Sequence, residues 1–245
     1  MNRVKELEKQ IHEHNINYFI KNEPKITDEE FDKLTEELKK LKPNSPVLFE
    51  LVGDIGNIEH PTPMLSLDKK YTHSDIIKWL KEINDKEYIV EPKYDGMAAR
   101  YQNNTLSTRG DGTHGEDISL RLPFLNIKGK LPSNPNTSAY GEIIIPLSYF
   151  NKHLAKDYKN PRNAVVGIIK AKTISPSGIK ALNDGGVHFV LHDQAQVIKV
   201  TQEDLIDEDR WEEILEEMFR IDYPLDGIVI KATNPDIINS LGRTQ

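Results

Sequence analysis

The run Tyr88-Ile89-Val90-Glu91-Pro92-Lys93-Tyr94-Asp95-Gly96 constrains this chain more than any other stretch. Before it, apolar residues recur at helical spacing. After it, the chain reads as strands cut by Gly, Asn and Pro. An α+β fold is expected, with a helical leader in front of a strand-rich domain. Strand side chains alternate between faces, so Lys93 and Asp95 are expected on one face. Gly96 gives the backbone room for the close approach of another group.

A lysine amine attacks phosphorus only when it is partly deprotonated and aimed at it, and burial or neighbouring cations favour the neutral amine. Lys93-Tyr94-Asp95-Gly96 fits a lysine that takes a nucleotide onto itself, with Asp95 placing the amine or a metal-bound water. The same letters also describe a strand with a surface lysine that runs into an Asp-Gly turn.

A chain of 245 residues suits one large domain, or a large and a small one. With 37% hydrophobic and 29% charged residues, it reads as an ordinary globular protein. The absence of cysteine excludes a disulfide framework and a Cys-based zinc site and fits a reducing compartment. No apolar run is long enough to span a bilayer, and the start is a charged amphipathic segment rather than a signal peptide. A cytoplasmic protein without a membrane partner is expected. The net charge of −7 means that any grip on duplex nucleic acid comes from a local basic patch or another chain.

In chain order, residues 1–42 read as a helical hairpin. Val4, Leu7, Ile11 and Tyr18 keep helical spacing, and Phe31, Leu34, Leu38 and Leu41 follow a capping box at Thr27 and Glu30. Residues 43–63 are rich in Pro, Gly and Asn and read as a linker. Thr72 caps a helix carrying Ile76, Leu80 and Ile83. Tyr88 to Gln102 and Thr105 to Arg109 form a hairpin turning at Asn103-Asn104. Ser138 to Ile145, Val187 to His192 and Asp226 to Lys231 are further strands, and residues 147–157, 162–171 and 203–219 are helices.

Lys93-Tyr94-Asp95-Gly96, Thr108-Arg109-Gly110-Asp111-Gly112, Gly141-Glu142 and Asp226-Gly227-Ile228-Val229-Ile230-Lys231 follow the order seen in covalent nucleotidyltransferases. Pro63-Met64-Leu65-Ser66-Leu67-Asp68, Gly115-Glu116-Asp117 and Asn160-Pro161-Arg162-Asn163-Ala164 narrow the likeness. Over nearly its whole length the chain resembles the N-terminal part of NAD-dependent DNA ligases.

The resemblance implies a helical module that recognises nicotinamide mononucleotide over residues 1–54 and a linker over 55–63. A nucleotidyltransferase domain (ATP-grasp-like, of antiparallel sheets with flanking helices) then spans 64–245, without its last motif. It implies that Lys93 takes AMP from NAD and releases nicotinamide mononucleotide. Glu91 and the backbone at Ser66 and Leu67 would read the adenine, and Arg109 would face the ribose. Asp95 and Glu142 would hold magnesium through water, and Lys231 would steady the α-phosphate. On the leader, Tyr18, Asp28, Phe31 and Asp32 would meet the nicotinamide nucleotide, the aromatic pair facing its cationic ring. Arg162 and Lys170 would contact the phosphates of a nicked DNA duplex.

Three positions depart from the family pattern. Phe19 stands where the family has His, Phe31 where it has Tyr, and Tyr140 where it has Arg. The resemblance also implies an OB-fold and further domains, on the same polypeptide or on a second subunit as in split viral ligases. The expected setting is a bacterial or virus-infected cell. Two other functions compete with an adenylation component of a ligase: an ATP- or GTP-using RNA ligase or capping-type transferase, and a non-catalytic partner-binding subunit.

Overall fold

The computed structural model describes residues 3–15, 17, 25–49, 57–65 and 67–241. Tyr18, Phe19, Ser66 and the last four residues lie outside the described residues, as do the side chains of Asp28 and Asp32.

The helical hairpin forms as expected from α1 (Arg3–Asn15) and α2 (Asp28–Leu41). The capping box closes at Thr27, whose hydroxyl accepts from Glu30 N at 3.2 Å while its own N donates to Glu30 Oε2 at 2.8 Å. Leu7, Ile11 and Leu38 are fully buried between the helices, with Val4, Phe31 and Leu34 packed against them. So small a core is marginal alone. It gains support from Leu48, which packs against the main core, and from Asn183, whose amide donates to Pro43 O at 3.1 Å and to Asn44 Oδ1 at 2.7 Å.

The described end of the linker, residues 57–63, is tied to the body more closely than its composition suggests. Within it β1 (Asn57–Glu59) pairs antiparallel with β5 (His114–Glu116). Met64 N then donates to Gly112 O at 2.8 Å, so this stretch forms part of the main body's surface.

Two further sheets carry the body. A three-stranded sheet has the order β10 (Leu225–Ala232), β2 (Glu87–Tyr94), β9 (Ile198–Thr201). A five-stranded sheet has the order β4 (Thr105–Thr108), β3 (Met97–Gln102), β7 (Ala139–Ile144), β8 (His188–Leu191), β6 (Asn126–Lys128). Pairing is antiparallel, as expected, with one parallel pair between β6 and β8.

Each sheet buries one face under its own helices. The small sheet contributes Tyr88, Val90 and Val200 to a core with Leu80 of α3 (His73–Ile83), Leu205 of α7 (Gln202–Ile206) and Trp211 and Ile214 of α8 (Glu208–Met218). The large sheet packs Ala99, Ile143 and Phe189 against Phe150 of α4 (Leu147–His153), Ile168 of α5 (Pro161–Ile169) and Ile179 of α6 (Pro176–Asn183). Each fully buried side chain of this size contributes roughly 1.5–3 kcal/mol.

The strand expected from Tyr88 to Gln102 is broken, and the break places β2 and β3 in different sheets. At the crossing, Asp95 N donates to Pro224 O at 2.9 Å. A Cβ on Gly96 would lie 2.3 Å from Ile143 O, so only glycine lets the chain pass β7 at this distance. The expected helix over 203–219 is also two helices. Asp207 is non-helical at φ −67° and ψ 124°, and its side chain caps the second helix by accepting from Arg210 N at 2.8 Å. The helix α6 was not foreseen, although Ser175-Pro176 is a capping residue followed by proline at the first helical position.

The ends of β2 and β10 are tied by Asp85, which is 6% exposed. Its Oδ2 accepts from Thr233 N at 2.8 Å and Asn234 N at 2.9 Å, and its Oδ1 from Lys86 N at 2.7 Å. Burial alone would raise this carboxyl, but the backbone donors outweigh it and hold the group below its ordinary value. Its contribution to stability is therefore present at neutral pH and is lost as pH falls through the depressed folded value. Asp85→Ala strands buried N–H groups, and urea denaturation should show a loss of about 2–3 kcal/mol with the far-UV spectrum of the remaining folded protein unchanged.

Candidate active site

The two sheets meet in a cleft of about 950 Å³. On β2 the buried residues Tyr88, Val90 and Pro92 alternate with Glu91 and Lys93, which therefore face the cleft. Asp95 lies just past the strand, at the crossing, rather than on the strand as expected. Glu142 comes from the other sheet, where it pairs with Ala98 across to β3 and with Val190 across to β8.

Lys93 is held by a residue to which the sequence reading assigned no role. In the register of β10 on β2, Leu225 pairs with Tyr94 and Gly227 with Lys93, so Asp226 is the extra residue of a bulge. A bulge leaves its extra residue unpaired and re-aims the side chain. Gly227, at φ +153°, takes the left-handed backbone that this requires. The Asp226 carboxylate then receives the Lys93 ammonium at 2.7 and 2.6 Å. An Asp-Gly pair opening an apolar strand was the available signal.

Three more cations of the cleft sit on carboxylates. Lys231 Nζ lies 2.5 Å from Glu91 Oε2, Arg162 Nη1 2.8 Å from Asp95 Oδ1, and Lys170 Nζ 2.6 Å from Glu116 Oε1. Glu91 and Lys231 are diagonal neighbours across β2 and β10, which explains their contact. Arg162 lies in the first turn of α5, whose N-cap Asn160 accepts from Asn163 N at 2.8 Å. At the other end of that helix the buried Arg121 guanidinium donates to Ile169 O at 3.2 Å and Ala171 O at 2.7 Å. Burial pushes Arg121 down to about 10, still charged at neutral pH.

Glu142 sits recessed in the cleft, and burial pushes its carboxyl up to about 8. The Arg162 charge, the Gly96 N–H and Lys93 oppose the shift, and Asp226 adds to it. His192, at the end of β8, also lines the cleft and was missed by the sequence reading. Burial and Lys231 push its imidazole down, with Glu91 and Asp193 pulling the other way.

Arg109 lines the cleft, and its Nε donates to Met64 O at 2.8 Å. Leu67 lines it too, 52% exposed. Thus Lys93, Glu91, Asp95, Glu142, Arg109, Lys231, Arg162, Lys170 and Leu67 converge on one cleft or its edge. None of the hairpin's described residues lines it, and Phe31 packs half-buried against the hairpin's own core.

With this geometry in view, similarity to known proteins decides the family. Residues 52–179 match the model of the NAD-dependent DNA ligase adenylation domain, and residues 1–51 match that of the DNA ligase-like, N-terminal NAD+-binding domain. The chain belongs to the NAD-dependent DNA ligase family. A DNA ligase of Desulfatibacillum aliphaticivorans is 33% identical over 235 residues, covering 90% of this chain and 36% of that ligase. DNA ligases of Fervidobacterium nodosum and Thermosipho africanus are each 30% identical, over 98% of this chain and 42% and 44% of their own lengths. This member of the NAD-dependent DNA ligase family therefore spans about two fifths of the length of the curated relatives it matches. No helix among its described residues is long and apolar enough to cross a membrane.

The turn that leads into β10 and Asp226 is itself anchored to the large sheet. His188 Nδ1 lies 2.7 Å from Tyr223 Oη, and the Tyr223 ring meets Tyr94 edge-on at 5.6 Å. Burial, helped by Lys128, pushes His188 down to about 4, against the opposing Gly185 carbonyl and Asp222. The unfolded chain protonates this histidine near pH 6.5 and the folded one near 4, so stability falls as pH drops between those values and levels off below. Urea denaturation across that window should show this group removing about 2 kcal/mol after solvent screening, and His188→Gln should flatten that part of the profile.

Proposed function

We propose that this chain is the adenylylating part of an NAD-dependent DNA ligase. Lys93 Nζ forms a bond to the α-phosphorus of NAD, the bond from that phosphorus to the oxygen of the nicotinamide mononucleotide phosphate breaks, and nicotinamide mononucleotide leaves. The AMP carried on Lys93 then passes to the 5′-phosphate of a DNA nick, and attack by the 3′-hydroxyl releases it. The observation that carries this reading is the Lys93–Asp226 pair in a cleft shared by two sheets. An ammonium is not a nucleophile, so attack requires one of its protons to leave. Asp226 is the carboxylate within reach to take it.

The other roles follow the resemblance. Glu91 and the backbone near Leu67 read the base, Arg109 meets the ribose, and Lys231 meets the phosphate once it exchanges Glu91 for the ligand. Arg162 and Lys170 stand at the cleft edge, where exchange of their carboxylates for DNA phosphates costs little, because exposed ion pairs hold by only about 0–1 kcal/mol. Tyr18, Ser66 and the side chains of Asp28 and Asp32 fall outside the described residues and keep their roles only by resemblance.

Magnesium fits the residues present. Among the described residues no group of three or more His, Asp or Glu side chains gathers for a metal, but magnesium needs only one or two carboxylates and keeps several waters. Asp95 and Glu142 supply that number and would hold it through water. When bound it would offset the negative charge that develops on the phosphate oxygens. Polypeptide beyond the two matched domains, on the same chain or on a second subunit, would complete nick sealing. A cytoplasmic location in a bacterial or virus-infected cell goes with this reading.

Intact mass after incubation with magnesium and either NAD or ATP tests the proposal. AMP addition from NAD alone is expected, absent in Lys93→Ala. In Asp226→Asn, folded as judged by its melting curve, the rate should fall at least about 100-fold. Addition from ATP alone would move the chain to the RNA-ligase or capping class. No addition from either, with or without the remaining ligase polypeptide, would leave the non-catalytic reading.

A further inference from the structure

His60 lies in the ordered stretch between hairpin and cleft, 5% exposed, and no chemistry has been assigned to it. Its Nδ1 lies 3.1 Å from Arg100 Nε, and its Nε2 lies 3.1 Å from Arg109 O. A guanidinium only donates, so Nδ1 accepts. The ring is then neutral at Nδ1 and carries its proton on Nε2, from which it donates to the Arg109 carbonyl. Arg100 is itself 4% exposed and held in place by Gln102 Oε1, so the donor that selects this tautomer is built into the core.

The Arg109 carbonyl is a junction. It also accepts from Gly112 N at 3.0 Å, which closes the turn Arg109-Gly110-Asp111-Gly112. His60 N donates to Thr113 O and Met64 N donates to Gly112 O, each at 2.8 Å. Arg109 Nε returns to Met64 O at 2.8 Å. The imidazole thus ties the Arg109 turn on one side to Arg100 of β3 on the other, from a segment that runs on to Met64 and Leu67. The Arg109 turn and that segment are the two pieces placed at the ribose and base under the nucleotide reading.

We propose that His60 is a positioning residue for the nucleoside end of the cleft, clamping the Arg109 turn to the Met64 segment through a tautomer imposed by Arg100. The proposal rests on the nucleotide reading of the cleft, so its test has one readout that does not need that reading. Long-range nitrogen–proton imidazole spectra of the full chain should show His60 unprotonated at Nδ1 and protonated at Nε2, the signal being assigned by its loss in His60→Gln. An Nδ1–H tautomer, or averaging between tautomers, would overturn the clamp.

The second readout is AMP affinity by calorimetry. His60→Leu should weaken it about tenfold, and His60→Gln, whose amide keeps a donor, should return to within about threefold of the unaltered chain. Unchanged affinity in His60→Leu overturns the proposal. So does equal weakening in the Leu and Gln variants, or the same weakening in Asp85→Ala, which lowers stability away from the cleft. If the unaltered chain binds no AMP, the nucleotide reading and the nucleoside role of His60 fall together, and the imidazole spectrum still decides whether His60 clamps the turn.

Discussion

The cleft around the Lys93–Asp226 ion pair is shaped by two chain irregularities. One is the crossing at Asp95-Gly96, where the chain leaves the small sheet and enters the large one. The other is the bulge at Asp226, which turns a carboxylate out of a strand that otherwise pairs in register from Gly227 to Ala232. Each sheet has its own helical layer and hydrophobic core, so either could pack alone. The cleft lies where the two sheets meet, and the pair sits in it.

The cleft is also nearly self-neutralising. Lys93, Lys231, Arg162 and Lys170 each rest on a carboxylate, which lets an acidic protein of net charge −7 keep several cations close together. Exposed pairs of this kind hold weakly and screen with salt. A phosphate that reaches the cleft therefore exchanges partners at small cost. The recessed Glu142 differs: its charge is opposed by burial, so its ionisation is sensitive to any cation that arrives beside it.

Among the described residues, specific contacts tie the leader and the linker to the body. Asn183 holds the turn at Pro43 and Asn44, Leu48 reaches the main core, and β1 pairs with β5. The last of these makes composition a poor guide to mobility here. A Pro-, Gly- and Asn-rich run reads as a tether, yet hydrogen bonds from His60 N and Met64 N fasten it to the Arg109 turn. Sequence cannot show that partner, which lies about 50 residues along the chain.

Periodicity and capping chemistry made the local elements legible. The hairpin helices with their Thr27 box, the helix after Thr72, the strand carrying Lys93 and the strand ending in Lys231 all follow from spacing that a single segment contains. Motif order was enough to indicate the nucleotidyltransferase likeness, because residue type and sequence separation are local properties too. Partnership was not legible. That Asp226 faces Lys93, that Glu142 stands in a recessed place, that His60 accepts from Arg100 and meets the Arg109 carbonyl, and that residues 88–102 split between two sheets all depend on strands brought together from distant parts of the chain. Register, bulge position and burial are set by the packing of whole sheets against helices, and no window of sequence contains both sides of such a contact.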